Sequence, residues 1–354
     1  MPPTALKCCV EFSHHGWTKS DPGAPARTIA QARAADAAGV DSIWVSEDPD
    51  GWDAFAVLSA FAVETTRARL GTGVTNPYNR HPNLIAASVA TLDQLSGGRA
   101  FLGLGRGQTE WYQRALGIDT GRPLAGLDET IQLLSDWWAE DHRASSSGHF
   151  AVNNWERTVA PLRRPPMYLA AAGPKALALA GRRADGVLFN ELASPDYLAD
   201  AIARVKSAAV AAQRDPDGLS FFARTGIFVT DDPEPELERR KTTIAMIHAL
   251  PGMQRLIATP EFDTERIIAD VRRAMKTDEV LARGGGFPEL RQRGDLDAAR
   301  RAIPTALVAR LALVGDLDLV RARLRDLAEI GVTHVFVDRR QAGDAKLLQE
   351  LSHP

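Results

Sequence analysis

The chain has 354 residues, 45% of them hydrophobic and 25% charged, with a net charge of −3. This is ordinary folded-protein material, long enough for one large α/β unit or two smaller ones. The near-neutral charge gives no reason to expect a nucleic acid or an anionic membrane as partner, and no apolar run approaches the roughly 18 residues of a membrane span.

Strand and helix signals alternate along the chain. A short apolar strand is expected at residues 7–12, then an alanine-rich helix at 28–38 closed by Gly39, a strand at 42–45 and a helix at 54–63. A strand at 69–73, a helix at 83–96 ending in Gly97 and Gly98, and a strand at 100–105 follow. An amphipathic helix fits 124–138. A strand at 167–171 opens at Gly173 and Pro174 into a helix at 175–183. The remaining signals are a strand at 186–189, a helix at 197–212, a strand at 219–229, a helix at 317–330 and a strand at 334–337. Eight strands alternating with helices predict an α/β fold of the parallel (β/α)8 TIM barrel kind. A doubly wound open sheet is the alternative, since pattern alone does not show closure. We read 1–354 as a single barrel domain with insertions at about 139–166 and 231–310. The glycine run between Arg283 and Phe287 is either a lid hinge or a surface connector.

Ligands of parallel α/β folds sit at the carboxyl ends of the strands. Loops there deserve a chemical reading. Gly103, Gly105 and Gly107 flank Arg106, so backbone N–H groups and a cation can approach an anion; a tight turn is the plain alternative. The segment Ala171, Ala172, Gly173, Pro174, Lys175 ends a strand and opens a helix. Its free amides favour a phosphate, which would offset the unfavourable placing of Lys175 in the first turn; a plain helix start is the alternative. Two glycines with Asn76 and Pro77 after the third strand point to unusual backbone geometry. Glu11 is a lone carboxylate in an apolar strand. It is costly unless it faces a polar site, and desolvation would raise its pKa towards proton-donor range; otherwise it reaches water at the strand end. Glu47 and Asp48 follow the second strand onto the same rim.

Other chemistries find no support. His14, His15 and His81 lack metal-ligand spacing, so no metal is expected; His81 could assist a phosphate or cap a turn. There is no G-x-S-x-G elbow. Cys8 and Cys9 are neighbours in a strand and so point to opposite faces, which favours buried thiols over a disulfide. The amino-terminal residues lack a basic-then-apolar signal region, so a cytoplasmic enzyme is expected.

Several segments together resemble the luciferase-like superfamily, in particular its branch that uses the deazaflavin coenzyme F420, with the closest likeness to the methylenetetrahydromethanopterin reductases. They are residues 10–12, 39–46, 71–78, 96–100 with 102–107, 172–175, and 312–315 leading into 331–334, in family order. The resemblance implies a barrel with an insertion after the seventh strand and a non-proline cis peptide, here Gly73–Val74, bulging against the deazaflavin ring. Val74 would back the ring. Gly105, Arg106, Gly107, Ala172, Gly173 and Pro174 match positions that hold the ring and the phosphate-bearing tail. Glu47, Asn76, Gln108, Ala171 and Lys175 complete the candidate cofactor contacts.

The implied chemistry is hydride transfer. Glu11 matches the first-strand acid of the methanopterin reductases and is the first candidate proton donor; Asp48 is the second. Asp48 stands where the sugar-phosphate and alcohol dehydrogenases of this family carry histidine, and Gln108 where the former carry glutamate. The expectation is therefore a reductase moving hydride from reduced F420 to a C=N or C=C bond of a small organic substrate, working as a homodimer. An FMN-dependent monooxygenase and a non-catalytic binding barrel are the alternatives.

Overall fold

In the computed structural model, which describes residues 5–354 apart from 15, 18 and 19, the apolar runs form a closed parallel ring. The amino-terminal half supplies β1 (Lys7–Phe12), β2 (Ser42–Val45), β3 (Arg69–Thr72) and β4 (Ala100–Leu104), alternating with α1 (Ala24–Ala38), α2 (Ala54–Glu64) and α3 (Pro82–Ser96). Then come α4 (Thr109–Ala115), α5 (Pro123–Trp137) and an antiparallel hairpin of β5 (Arg143–Ser146) and β6 (Val152–Glu156). The ring continues with β7 (Met167–Ala170), α6 (Pro174–Arg183), β8 (Gly186–Leu188), α7 (Pro195–Ala211) and β9 (Ser220–Val229). Helices α8 (Glu234–Thr243), α9 (Thr264–Met275), α10 (Thr277–Ala282), α11 (Phe287–Arg293), α12 (Leu296–Ala302) and α13 (Thr305–Leu311) follow. Last are β10 (Val314–Gly315), α14 (Leu317–Glu329), β11 (His334–Val337) and α15 (Ala345–Ser352). The pairing β1–β2–β3–β4–β7–β8–β9–β11 returns to β1, with β9 bonded to both β8 and β11; this closes the eight-stranded barrel and removes the open-sheet alternative.

Alternation along each strand sorts the side chains into two cores. Cys8, Val10 and Phe12 face the helices, whereas Cys9 joins Trp44, Phe101, Tyr168, Leu188, Phe222 and Phe336 inside the ring. Both thiols are free and buried, and burial pushes that of Cys8 up to about 11. Trp44 fills the centre, its ring 4.4 Å from Phe101 and 4.8 Å from Phe222. Gly103 serves this packing rather than a loop: a Cβ there would lie 2.0 Å from the Thr72 carbonyl oxygen and 3.1 Å from the Trp44 ring.

Some local expectations shift. Helix α1 begins at Ala24, ahead of residue 28, because a proline in its first turn supports the earlier start. The hairpin within 139–166 is absent from the sequence reading because β6 is polar and largely exposed, so it lacks apolar alternation. The helices after β9 surround an apolar cluster that includes Ile244, Ile268, Val271, Met275 and Leu307. The glycine run joins α10 to α11, where Phe287 meets Trp111 of α4 at 4.8 Å. No described helix is long and apolar enough to cross a membrane.

Candidate active site

At the carboxyl rim the inward face of the barrel changes character. Two residues beyond Cys9 on the same face of β1 stands Glu11; two beyond Phe222 on β9 stands Arg224. The guanidinium Nη2 of Arg224 lies 2.9 Å from Glu11 Oε1 and donates to the Gly73 carbonyl at 2.6 Å. Gly73–Val74 is a cis peptide bond, as the resemblance implied. The Arg224 and Glu11 side chains are only 14% and 20% exposed, and the guanidinium also faces the Phe336 ring at 5.8 Å. Burial pushes the Glu11 carboxyl up to about 7, with Arg224 holding it down and Glu191 adding repulsion.

The second acid sits beside this pair. Burial, reinforced by Asp50 and Glu47 and opposed by Arg224, pushes Asp48 up to about 7 as well. His14 Nε2 approaches Asp48 at 3.4 Å, and its Nδ1 meets Ser46 Oγ at 2.9 Å. The rim thus presents two carboxyl groups poised near neutrality around one guanidinium, which can give or take a proton at physiological pH.

Three loops leave the barrel from a common point. A Cβ on Gly105 would lie 2.7 Å from Val74 Cγ2 and 3.4 Å from Ala170 Cβ, so the turns after β3, β4 and β7 are immediate neighbours. Val74 itself rests on the aromatic filling of the barrel. Arg106 is exposed next to Gly105, and its Nη1 reaches Thr109 Oγ1 at 3.2 Å. Ala171 is buried at the end of β7, and Ala172 accepts a hydrogen bond from the Tyr197 hydroxyl at 2.7 Å. Gly173 precedes α6 with no side chain capping the free amides. The space in front of it is open, the nearest atom to a Cβ there being Arg255 Nη1 at 3.8 Å. Pro174 and Lys175 are exposed in that first turn, and Lys175 also lines a groove with Arg122 and Arg182.

Of the remaining candidates, Glu47 and Asn76 bond to other residues of the protein. Glu47 is buried, accepts from Arg80 Nε at 2.9 and 3.1 Å, from Thr75 Oγ1 and from the Ala54 amide, and so braces the rim. Asn76 Nδ2 donates to the Tyr112 hydroxyl at 2.8 Å, while its Oδ1 accepts from the Tyr78 and Asn79 amides. Gln108 starts α4 without capping it by its side chain, and Gly107 packs against Tyr112. His81 caps α3, its Nδ1 accepting from the Asn83 amide at 3.2 Å. His15 lies outside the described residues.

Sequence reading missed Arg224 and Arg255. Arg224 carried a signal, since it is the lone charge within the run Phe221 to Ala223 and Ile227 to Val229, the mirror of Glu11 in β1. Arg255, in a 3-10 turn at Gln254–Ile257 of the insertion, carried none, because its approach to Gly173 depends on tertiary packing.

The residues present fit a flat, anion-bearing cofactor. Val74 gives an apolar floor, Gly105 keeps the adjoining loop close, and the open α6 terminus with Arg255 and Lys175 fits a phosphate.

The luciferase-like monooxygenase family profile matches residues 6–334. A 5,10-methylenetetrahydromethanopterin reductase of Methanolobus tindarius is 30% identical over 316 residues, spanning 89% of this chain and 90% of its own length. An F420-dependent hydroxymycolic acid dehydrogenase of Mycobacterium tuberculosis is 36% identical over 220 residues, 58% of this chain and 60% of its own. Among solved structures, the coenzyme F420-dependent tetrahydromethanopterin reductase of Methanopyrus kandleri matches with a TM-score of 0.77 at 23% identity, covering 99% of this chain and 98% of that one; the likeness bears on fold.

Proposed function

The chain belongs to the luciferase-like monooxygenase family, and on that premise we propose that it is a coenzyme F420-dependent oxidoreductase, a reductase acting on a C=N or C=C bond of a small organic substrate. One observation carries the proton-transfer part of this reading: an acid buried to a pKa of about 7, Glu11, stands beside the Gly73–Val74 turn and Arg224. Val74, Gly105 and Gly107 would hold the ring, and the α6 amides with Arg106, Arg255 and Lys175 the anionic tail. When bound, reduced deazaflavin supplies a hydride as a two-electron donor. The protein's own task is to hold the double bond nearby, exclude water and deliver a proton. Glu11 does so by breaking its Oε–H bond towards the substrate atom that does not receive hydride. The carboxylate left behind is stabilised by Arg224. Asp48, backed by His14, is the second acid of the same rim. Glu47 and Asn76 act by bracing the loops.

The reading extends to a homodimer acting in the cytoplasm. Val63 on α2 and Leu84 and Leu95 on α3 are exposed apolar side chains that favour such a contact. A monomer by light scattering removes that part.

The test is oxidation of reduced F420 against a panel of imines and activated alkenes. Glu11→Gln should lower turnover about 10²- to 10⁴-fold with F420 affinity retained. Unchanged turnover removes Glu11 from the mechanism. Oxygen consumption with reduced FMN and no reaction with F420 would instead establish the monooxygenase.

A further inference from the structure

We propose that Arg224 is the positioning residue of the proton-transfer step, one guanidinium fixing the Glu11 carboxyl and the turn it serves in a single arrangement. The geometry carries this. The same Nη2 is 2.9 Å from Glu11 Oε1 and 2.6 Å from the Gly73 carbonyl oxygen, so one guanidinium nitrogen touches both the acid and the turn. Arg224 reaches this position from β9, across the barrel mouth from β3, and its planar group lies over Phe336 of β11. Its buried Nε has no hydrogen-bond partner among the described residues, so the Nη edge makes the polar contacts. A guanidinium suits this work because its donors are rigidly spread, whereas a lysine ammonium is a compact point charge on a flexible stem.

The charge around Glu11 comes from several elements. Arg224 acts on it from β9 and Glu191 from the loop after β8; Arg224 also acts on Asp48 of the loop after β2, which Asp50 and Glu47 repel. Arg224 favours the ionised form of both Glu11 and Asp48, and His14 Nε2 stands 3.4 Å from Asp48. The protonated acid is therefore held in place, and when its O–H bond breaks towards substrate the new carboxylate already has its counter-ion. No reorganisation is needed at that moment.

This deepens the role given to Glu11 and rests on that reading, but it can be tested without cofactor or substrate. In the full chain labelled with 13C-carboxyl glutamate, the Glu11 signal is assigned by its loss in Glu11→Gln and followed through a pH titration. Removing the cation in Arg224→Gln should move the Glu11 midpoint upward by about one pH unit or more. Arg224→Lys should fall between that variant and the wild type. An unmoved midpoint in folded Arg224→Gln overturns the proposal. If that variant does not fold, an unmoved midpoint in Arg224→Lys overturns it equally. A second arm follows turnover: the alkaline limb of the pH profile should move up with the titration. A purely structural arginine would lower turnover at every pH and leave the limb where it was. A shifted titration in a protein that never oxidises reduced F420 would defeat the reductase reading while leaving the Arg224–Glu11 coupling standing.

Discussion

At the scale of single residues, Glu11 is a site where function opposes stability. Its carboxyl rises from 4.5 in the unfolded chain to about 7 in the fold. Between those values the unfolded chain releases its proton first, so stability falls as pH rises through the window. Glu11→Gln removes the titration while keeping an acceptor for Arg224. It should therefore raise the melting temperature at pH 8 and leave it nearly unchanged at pH 4, and equal shifts at both would contradict the burial argument. Gly173 is the complementary case. Its backbone is extended, at φ −89° and ψ 157°, and a side chain meets nothing closer than 3.8 Å. Gly173→Val should thus fold normally yet fill the space before the α6 amides, weakening F420 binding at least about tenfold, by roughly 1.4 kcal/mol. Retained affinity would place the phosphate elsewhere.

At the scale of elements, strands were readable and loop chemistry only in part. β1, β2 and β11 appear where the apolar runs put them, since a buried parallel strand is written as continuous apolar sequence. The helix start at Gly173 and Pro174 was equally legible from proline's preference for a first turn. What local pattern could not show was which loop residues would be consumed internally. Glu47 and Asn76 spend polar atoms on Arg80, Thr75 and Tyr112, partners that tertiary packing brings near, and on nearby backbone amides. Gly103 likewise looked like part of an anion loop but is demanded by Thr72 and Trp44. Gly103→Ala should overpack this contact and cost about 1–3 kcal/mol, read by chemical denaturation. A loss below about 0.5 kcal/mol would show that the strand can yield there.

At the scale of the whole molecule, the barrel carries ionised groups at both its lower and its upper end, with the Trp44 cluster between. The lower end ties Arg69 to Asp41 at 2.6 Å and to the Tyr168 hydroxyl at 2.7 Å, with His334 buried alongside. Burial, opposed by Asp41 and aided by Arg69 and Lys7, pushes the His334 imidazole down from 6.5 to about 3. The unfolded chain therefore takes a proton that the folded chain refuses, and stability should decline as pH falls from 6.5 towards 3. His334→Gln should flatten that decline in thermal melts, whereas an unchanged slope would assign acid sensitivity to other groups. The ring closure that sets these two ends apart was implied by eight alternating strands, but its proof needed the β9 pairings to β8 and β11. Arg224, on that closing strand, completes the upper end.

The most direct test of the account is a fluorescence titration of coenzyme F420 with the wild-type chain and with Gly173→Val. Saturable change with the wild type, weakened in the folded variant, is the predicted result. Fluorescence that does not respond to the wild-type protein at all would contradict the claim that the turns at Val74, Arg106 and Pro174 form one deazaflavin site.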